Sequence, residues 1–539
     1  MKLGVIAILL LISLGTEAQE IADSVYWVYF KDKAGNGYQT DLPAQFLSDR
    51  SINRRAMQGL AVDQTDLPVT ASYIQELRDM GVEIKYVSRW LNGVVMTPLD
   101  ELTFQEVLDK SFTDTLPWIA GTDHQFYPQK SGEPRFDQPL EPAPDYDYGI
   151  AKEQVTLLKT DQLHKLGYTG KGVWIGVLDA GFYNVDSLPS FEALLTEERI
   201  LGTRNYVNDI PIFRQNSTHG MYVLSIMAGE WNENMVGTAP HASYLLCMTE
   251  NPDQETRIEE IAWIEAAEHA DSLGVDVINT SLGYSNFDGE LYDYNYRDMD
   301  GLSSHISRAA SKLASRGMIL CNSAGNEGND AWYYITAPAD ARDILTVGAV
   351  DSTGLIANFS SRGPTFDARI KPDVVTMGKA TGIQYKNGGL ARGDGTSFSS
   401  PVMAGSVACL WQAFPELPAL EMIHMIRQSG DRHMNPDATY GFGIPNMLLS
   451  YHAITRVPAR FAPGKMEIWP NPARESVMIK IPETGSQEVS LYDLSGRMAY
   501  VIQMELPGMM ELPGTLGSGI YIIKIRTSDY SYRSRLIKL

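Results

Sequence analysis

Three polar residues sit where proton transfer could be arranged. Asp179 ends an apolar run in Val177-Leu-Asp-Ala-Gly181, and His219 opens another in Thr218-His-Gly-Met-Tyr-Val-Leu-Ser-Ile-Met-Ala-Gly229. Ser397 lies in Gly395-Thr-Ser-Phe-Ser-Ser-Pro-Val-Met-Ala-Gly405. Each alone has a plainer explanation: a turn residue, a helix cap, a satisfied polar side chain. Together they have the composition of an activated nucleophile. A hydroxyl needs a base to take its proton, and the base needs a third group to fix its tautomer. A serine that opens a helix also has its oxygen beside the positive end of the helix.

The surrounding pattern predicts how these residues are held. Between residues 150 and 455 apolar strands (Val173–Leu178, Val275–Asn279, Met318–Cys321) alternate with helical stretches at 256–273 and 302–316. That alternation predicts a doubly wound, mostly parallel α/β sheet covered on both faces. Such sheets bind ligands beyond the carboxyl ends of their strands, where the three residues fall. Upstream, Ser24–Phe30, Val82–Val87 and Leu91–Met96 read as strands and Ala71–Met80 as a helix, a small α+β unit. Five prolines between Pro128 and Pro144, mixed with charges, mark an exposed linker. Downstream, Val477–Ile481, Val489–Tyr492 and Gly519–Ile525 are separated by turn residues and predict a small β-sandwich.

With 539 residues the chain is long enough for about two to four domains. Its net charge of −22 argues against a nucleic-acid partner, which requires a basic face. Residues 465–539 carry nine basic against eight acidic residues, so the acidity lies upstream of them. Lys2, the apolar run Val5–Leu14 and the small residues Thr16 and Ala18 predict a signal peptide cut before Gln19. No later segment is long and apolar enough for a transmembrane anchor. Cys247, Cys321 and Cys409 fall in apolar or helical runs and read as buried thiols, not as a disulfide framework or a nucleophile. The histidines other than His219 lack a metal-ligand spacing.

Residues 150–450 resemble the subtilase family of serine peptidases. The similarity rests on Gly395–Pro401, on His219-Gly220 through Ala228-Gly229, on Gly237-Thr-Ala-Pro240 and on Val275–Gly283. Ser323-Ala-Gly-Asn-Glu-Gly328 and Tyr440-Gly-Phe-Gly443 with Asn446 complete it. The resemblance implies a catalytic triad of Asp179, His219 and Ser397, with Asn326 as an oxyanion donor. It implies that Ser281, Leu282, Gly283, Ala324 and Gly325 line the primary pocket and pair with the substrate backbone. Two departures stand out: Ala180 where the family usually has Ser or Thr, and Met221 where it usually has Thr. The family often binds calcium, and Asp298-Met-Asp-Gly301, within the acidic loop Asp288–Asp300, could supply oxygens. A solvated acidic loop is the competing reading.

The upstream unit resembles a subtilase propeptide in position and size; a permanent accessory domain is the alternative. Ile468-Trp-Pro-Asn-Pro-Ala473, Leu491–Arg497, Gly519-Ile-Tyr521 and Arg535–Leu539 resemble the C-terminal sorting domain of type IX secretion cargo in Bacteroidota. A carbohydrate- or protein-binding β-domain is the alternative there. The expected plan is a signal peptide at 1–18, a propeptide-like domain at 19–124 and a linker at 125–149. A peptidase domain at 150–455 and a sorting domain at 465–539 follow. The expected function is a secreted or surface serine endopeptidase, passing through the periplasm as a precursor, with protein or peptide substrates and an outer-membrane secretion machinery as partner. An inactive subtilase fold serving as a binding module is the rival. Dead relatives usually lose Ser or His, and all three triad residues are present here.

Overall fold

The computed structural model describes residues 24–122, 146–231, 233–288, 293–456, 466–481, 484–492, 498–526 and 531–539. The signal segment, the proline-rich stretch and His124 lie outside them. The chain forms two compact units, Met1–Ser450 and Tyr451–Leu539.

The first unit opens with β1 (Ser24–Phe30), β2 (Glu83–Ser88), β3 (Gly93–Thr97) and β4 (Thr113–Thr122), paired antiparallel in the order β2-β3-β1-β4. Side chains alternate along a strand, and β1 uses both faces. Tyr26, Val28 and Phe30 pack with Leu77 and Phe104, from helices α2 (Ala71–Asp79) and α3 (Glu101–Leu108). Val25 and Trp27 on the other face join Ile258, Ile261 and Trp263 of a downstream helix, α5 (Arg257–Leu273). One sheet therefore closes two cores. Helix α1 (Asp49–Met57), capped by the Ser48 hydroxyl accepting from Ser51 N at 3.1 Å, adds Arg54 and Arg55 to the same junction.

The centre is a seven-stranded parallel sheet of β5 (Trp174–Asp179), β6 (Ile200–Asn205), β7 (Ser243–Met248), β8 (Val277–Thr280), β9 (Ile319–Ser323), β10 (Leu345–Val350) and β11 (Val374–Met377). Its order is β11-β10-β9-β8-β5-β7-β6, and its strands pair parallel, as the strand–helix alternation predicts. Every residue of β5 is buried, because helices cover both faces of a parallel sheet. Helix α4 (His219–Ala228) and helix α7 (Thr396–Ala413) pack together over the sheet.

The stretch 302–316 departs from the single helix expected. Helix α6 (His305–Ala310) ends early, and a separate 3-10 turn follows at Ala314–Arg316. Ser311 explains the break: its hydroxyl donates back to Ser307 O at 2.8 Å while accepting from Arg342 N at 2.9 Å. A serine bonded to the carbonyl four residues before it bends and weakens the helix there.

The second unit pairs three antiparallel strands (Glu467–Trp469, Ser476–Lys480, Gly508–Glu511) and, separately, four (Gly485–Tyr492, Met498–Leu506, Gly519–Arg526, Ser531–Lys538). Val477 and Ile479 from one sheet share a core with Val489, Leu491, Ile523 and Ile525 from the other. That shared core makes the unit a sandwich. The cysteines are buried and unbridged. No helix among the described residues is long and apolar enough to cross a membrane.

Candidate active site

Parallel strands in register bring their carboxyl ends to one edge. Leu178 pairs with Thr280 and Thr280 with Asn322, while Asp179 pairs with Met248. Asp179, Glu250, Ser281 and Asn326 therefore leave the sheet side by side. Asp179 is buried, and its Oδ1 accepts from Ala180 N at 2.7 Å and meets His219 Nδ1 at 2.6 Å. That contact leaves Nε2 as the outward nitrogen of the ring. Gly220 allows helix α4 to start so close to β5. A Cβ there would stand 2.7 Å from Gly181 O and 3.0 Å from the Asp179 Cβ.

Ser397 is the second residue of α7, where backbone N–H groups have no partner inside the helix. Pro401 lacks the N–H that would otherwise bond Ser397 O four residues back. The freed carbonyl accepts the Ser281 hydroxyl at 2.8 Å, which ties α7 to the end of β8. The Ser397 hydroxyl donates to Ser281 O at 3.1 Å. The ring of Phe398, the residue after Ser397, lies 6.1 Å from the His219 ring, centroid to centroid.

Asn326 is exposed, and its Oδ1 accepts from Thr396 N at 2.9 Å and Thr396 Oγ1 at 3.1 Å. With the oxygen so occupied, the Nδ2 donors are left for another acceptor. Thr396 was not legible as a functional residue. Its only sequence signal is its place before Ser397, whereas the fold uses it to aim Asn326. Of the residues expected to meet substrate, Ser281, Leu282 and Gly283 border a cavity beside His219. Ala324 and Gly325 are buried instead, with Gly325 N donating to Thr396 Oγ1 at 3.2 Å and Gly325 O accepting from Ser361 N at 3.0 Å.

The local electrostatics favour a charged imidazole. Burial of the ring disfavours the cation, but the Asp179 carboxylate and its hydrogen bond outweigh this and raise the His219 pKa above 6.5. A base must be neutral to accept a proton, so activity should fall as the solution is acidified through that raised value. We expect the acid limb of the kcat/KM profile to lie above pH 6.5. Asp179→Asn should move it lower, which a pH–rate series on both proteins measures.

In the described part of the loop offered for calcium, both named aspartates are engaged locally. Asp298 accepts from Asn295 N at 2.9 Å, and Asp300 from Leu302 N and Ser303 N at 2.7 Å, so both carboxylates close local turns. Among the described residues no three His, Cys, Asp or Glu side chains converge as a metal site.

Parts of the chain are similar to known families and proteins. The Secretion system C-terminal sorting domain matches residues 467–539, which marks the chain for export to the cell surface or medium. The Peptidase S8 propeptide domain of Bacteroidota matches residues 25–132. Serine protease AprX of Bacillus subtilis is 28% identical over 313 residues, covering 52% of this chain and 66% of AprX. The membrane-bound transcription factor site-1 protease of Homo sapiens is 29% identical over 268 residues, 48% of this chain and 23% of that protein. The chain thus spans less than two thirds of either relative. Subtilisin DY of Bacillus licheniformis is 25% identical over 295 residues, 54% of this chain and 96% of its own. The solved structure of the prenylagaramide maturation protease PagA superposes with a TM-score of 0.43 at 23% identity, over 55% of this chain and 99% of its own. The Subtilase family model matches residues 170–443, just over half of the sequence, and the chain belongs to that family.

Proposed function

We propose that the protein is a secreted serine endopeptidase made as a precursor, with Asp179, His219 and Ser397 as its triad. The observation that carries this reading is the Asp179–His219 contact at 2.6 Å, with the imidazole beside the start of the serine helix. Ser397 Oγ attacks the scissile carbonyl carbon while His219 Nε2 takes its proton. The tetrahedral oxyanion meets Asn326 Nδ2 and Ser397 N. Collapse breaks the C–N bond, with His219 returning the proton to the leaving amine and an acyl-serine remaining. Water, deprotonated by His219, then releases the acid. Asp179 holds the tautomer and stabilises the imidazolium throughout. Ser281–Gly283 supplies an edge along which an extended substrate can add as a strand.

Asn326→Ala tests the oxyanion role. We expect kcat to fall by about 10²–10³-fold with little change in KM, because the amide contacts charge that exists only near the transition state. A raised KM with unchanged kcat would make Asn326 a binding residue.

We assign 1–18 to the signal peptide, 19–124 to the propeptide, 125–149 to the linker, 150–455 to the peptidase and 465–539 to the sorting address. A chain stopping near Val457 should hydrolyse peptides but remain in the periplasm of a Bacteroidota host. Activity and fractionation assays on both lengths read this. Appearance of the short form outside the cell would refute the address. The endopeptidase reading itself is tested by hydrolysis of an unfolded protein substrate and its loss on sulfonyl fluoride treatment. A mature protein that cleaves nothing overturns it.

A further inference from the structure

Beside the imidazole lies a cavity of about 430 Å³, bordered on one side by Asp179, Ala180 and His219 and on another by Ser281–Gly283. Its far wall is the loop from β7 into α5. Besides Asp179, five carboxylates border the cavity: Glu250, Asp253, Glu255, Glu259 and Asp288. Their partners are neutral. Glu250 accepts from Tyr284 Oη at 2.6 Å and Thr249 Oγ1 at 2.8 Å, Glu259 from Asn251 N at 2.7 Å and Thr256 N at 2.8 Å, and Asp288 from Glu255 N at 3.0 Å. The nearby Arg257 turns away, its guanidinium 3.9 Å over the Tyr294 ring and 4.9 Å over Phe287. Burial first, and then mutual repulsion, push Glu250 up to about 8, Glu255 to about 7 and Glu259 to about 10. Among the described residues no lysine or arginine lines the cavity.

Asp179 borders the same cavity. Asp179 is 2% exposed and its Oδ2 has no hydrogen-bond partner. Ala180, which follows it, carries no hydroxyl to bond that oxygen. A buried carboxylate oxygen without a donor is costly, and a donor brought by a ligand relieves it.

We propose that this cavity binds the cationic side chain of a lysine or arginine in the substrate, at the second or fourth residue before the scissile bond. The inference rests on the endopeptidase reading. Alternate side chains of an extended peptide point to opposite faces. The second and fourth residues share one face, and that face is assigned to the His219 side and its acidic wall. A metal ion is the poorer occupant, because among the described residues no three carboxylates converge on one point. A long flexible cation can reach carboxylates spread over such a space.

The test uses mature protein and matched fluorogenic peptides carrying Lys, Ala or Glu at each of the two positions. At one of them kcat/KM should favour Lys over Ala by about tenfold or more, the scale of one charge-assisted hydrogen bond, with Glu the poorest. Glu255→Lys should invert the order of Lys and Glu, and this ratio is unaffected by the fraction of folded variant. Equal hydrolysis of all three, or a preference for Glu, overturns the subsite while leaving the endopeptidase reading intact. Failure to cleave any peptide, together with failure to react with a serine probe, overturns both.

Discussion

Replacing Ser397 by Ala should lower kcat/KM by about a millionfold, the scale of losing the nucleophile from a triad that acts as a unit. His219 without a hydroxyl to deprotonate, and Asn326 without a tetrahedral oxyanion, have no common intermediate to serve. The fold should survive. Ser397 meets its surroundings through its backbone carbonyl and one hydroxyl contact to Ser281 O, and only the second is removed. Thermal unfolding should change by no more than a few degrees. If the precursor matures by its own action, Ser397→Ala should also accumulate at full precursor mass. Steady-state kinetics, calorimetry and intact mass read the three outcomes. Retained hydrolysis in the purified variant would remove Ser397 from its role.

Asp271→Ala should have the next largest effect, on the seat of the N-terminal unit. Asp271 is fully buried on α5 and meets Arg54 at 2.6 Å, Arg55 at 2.9 Å and Arg89 at 2.6 Å. All three arginines come from the segment preceding the peptidase. Burial opposes charge on Asp271, but the guanidinium groups prevail and hold its carboxyl well below the usual range. Its contribution is present above the unfolded pKa of about 3.9 and is lost only as pH falls through the lower folded value. Removing one partner of a buried pair leaves uncompensated charge, at about 3–5 kcal/mol. Asp66 shares Arg55 with Asp271, but neither Arg54 nor Arg89 pairs with it among the described residues. Docking of the N-terminal unit should weaken by about 10²–10⁴-fold. In the Ser397→Ala background, where self-cleavage cannot intervene, hydrogen exchange should rise across β1 and α5. Unchanged protection would show that the apolar seat around Trp27 suffices without the ion cluster.

The parallel sheet was legible because its strands are continuous apolar runs, which local periodicity detects. The residues proposed as the triad could be singled out because Asp179 ends an apolar run, His219 opens another and Ser397 stands just before Phe398 in the Gly395–Gly405 segment. The tail strands were readable from Val477–Ile481 and Gly519–Ile525, whose alternate residues fill the sandwich core. Other features were hidden because they depend on register. Nothing local in Thr396 announces that it orients Asn326, and nothing in Ser281 that it takes the carbonyl freed by Pro401. Glu250, Glu255 and Glu259 read as ordinary polar residues until β7 delivers them to the side of His219. Arg54 and Arg89 likewise look like surface charges. Only the docked sheet shows them facing Asp271, more than 180 residues away in sequence.

The central claim is that Ser397 is a nucleophile activated by His219. Its most direct measurement is fluorophosphonate labelling of mature protein followed by peptide mapping. The account predicts one adduct, on Ser397 Oγ within Gly395–Pro401, formed more slowly as pH falls and abolished in His219→Ala. Absence of an adduct in folded mature protein, or an adduct on a serine other than Ser397, would contradict it.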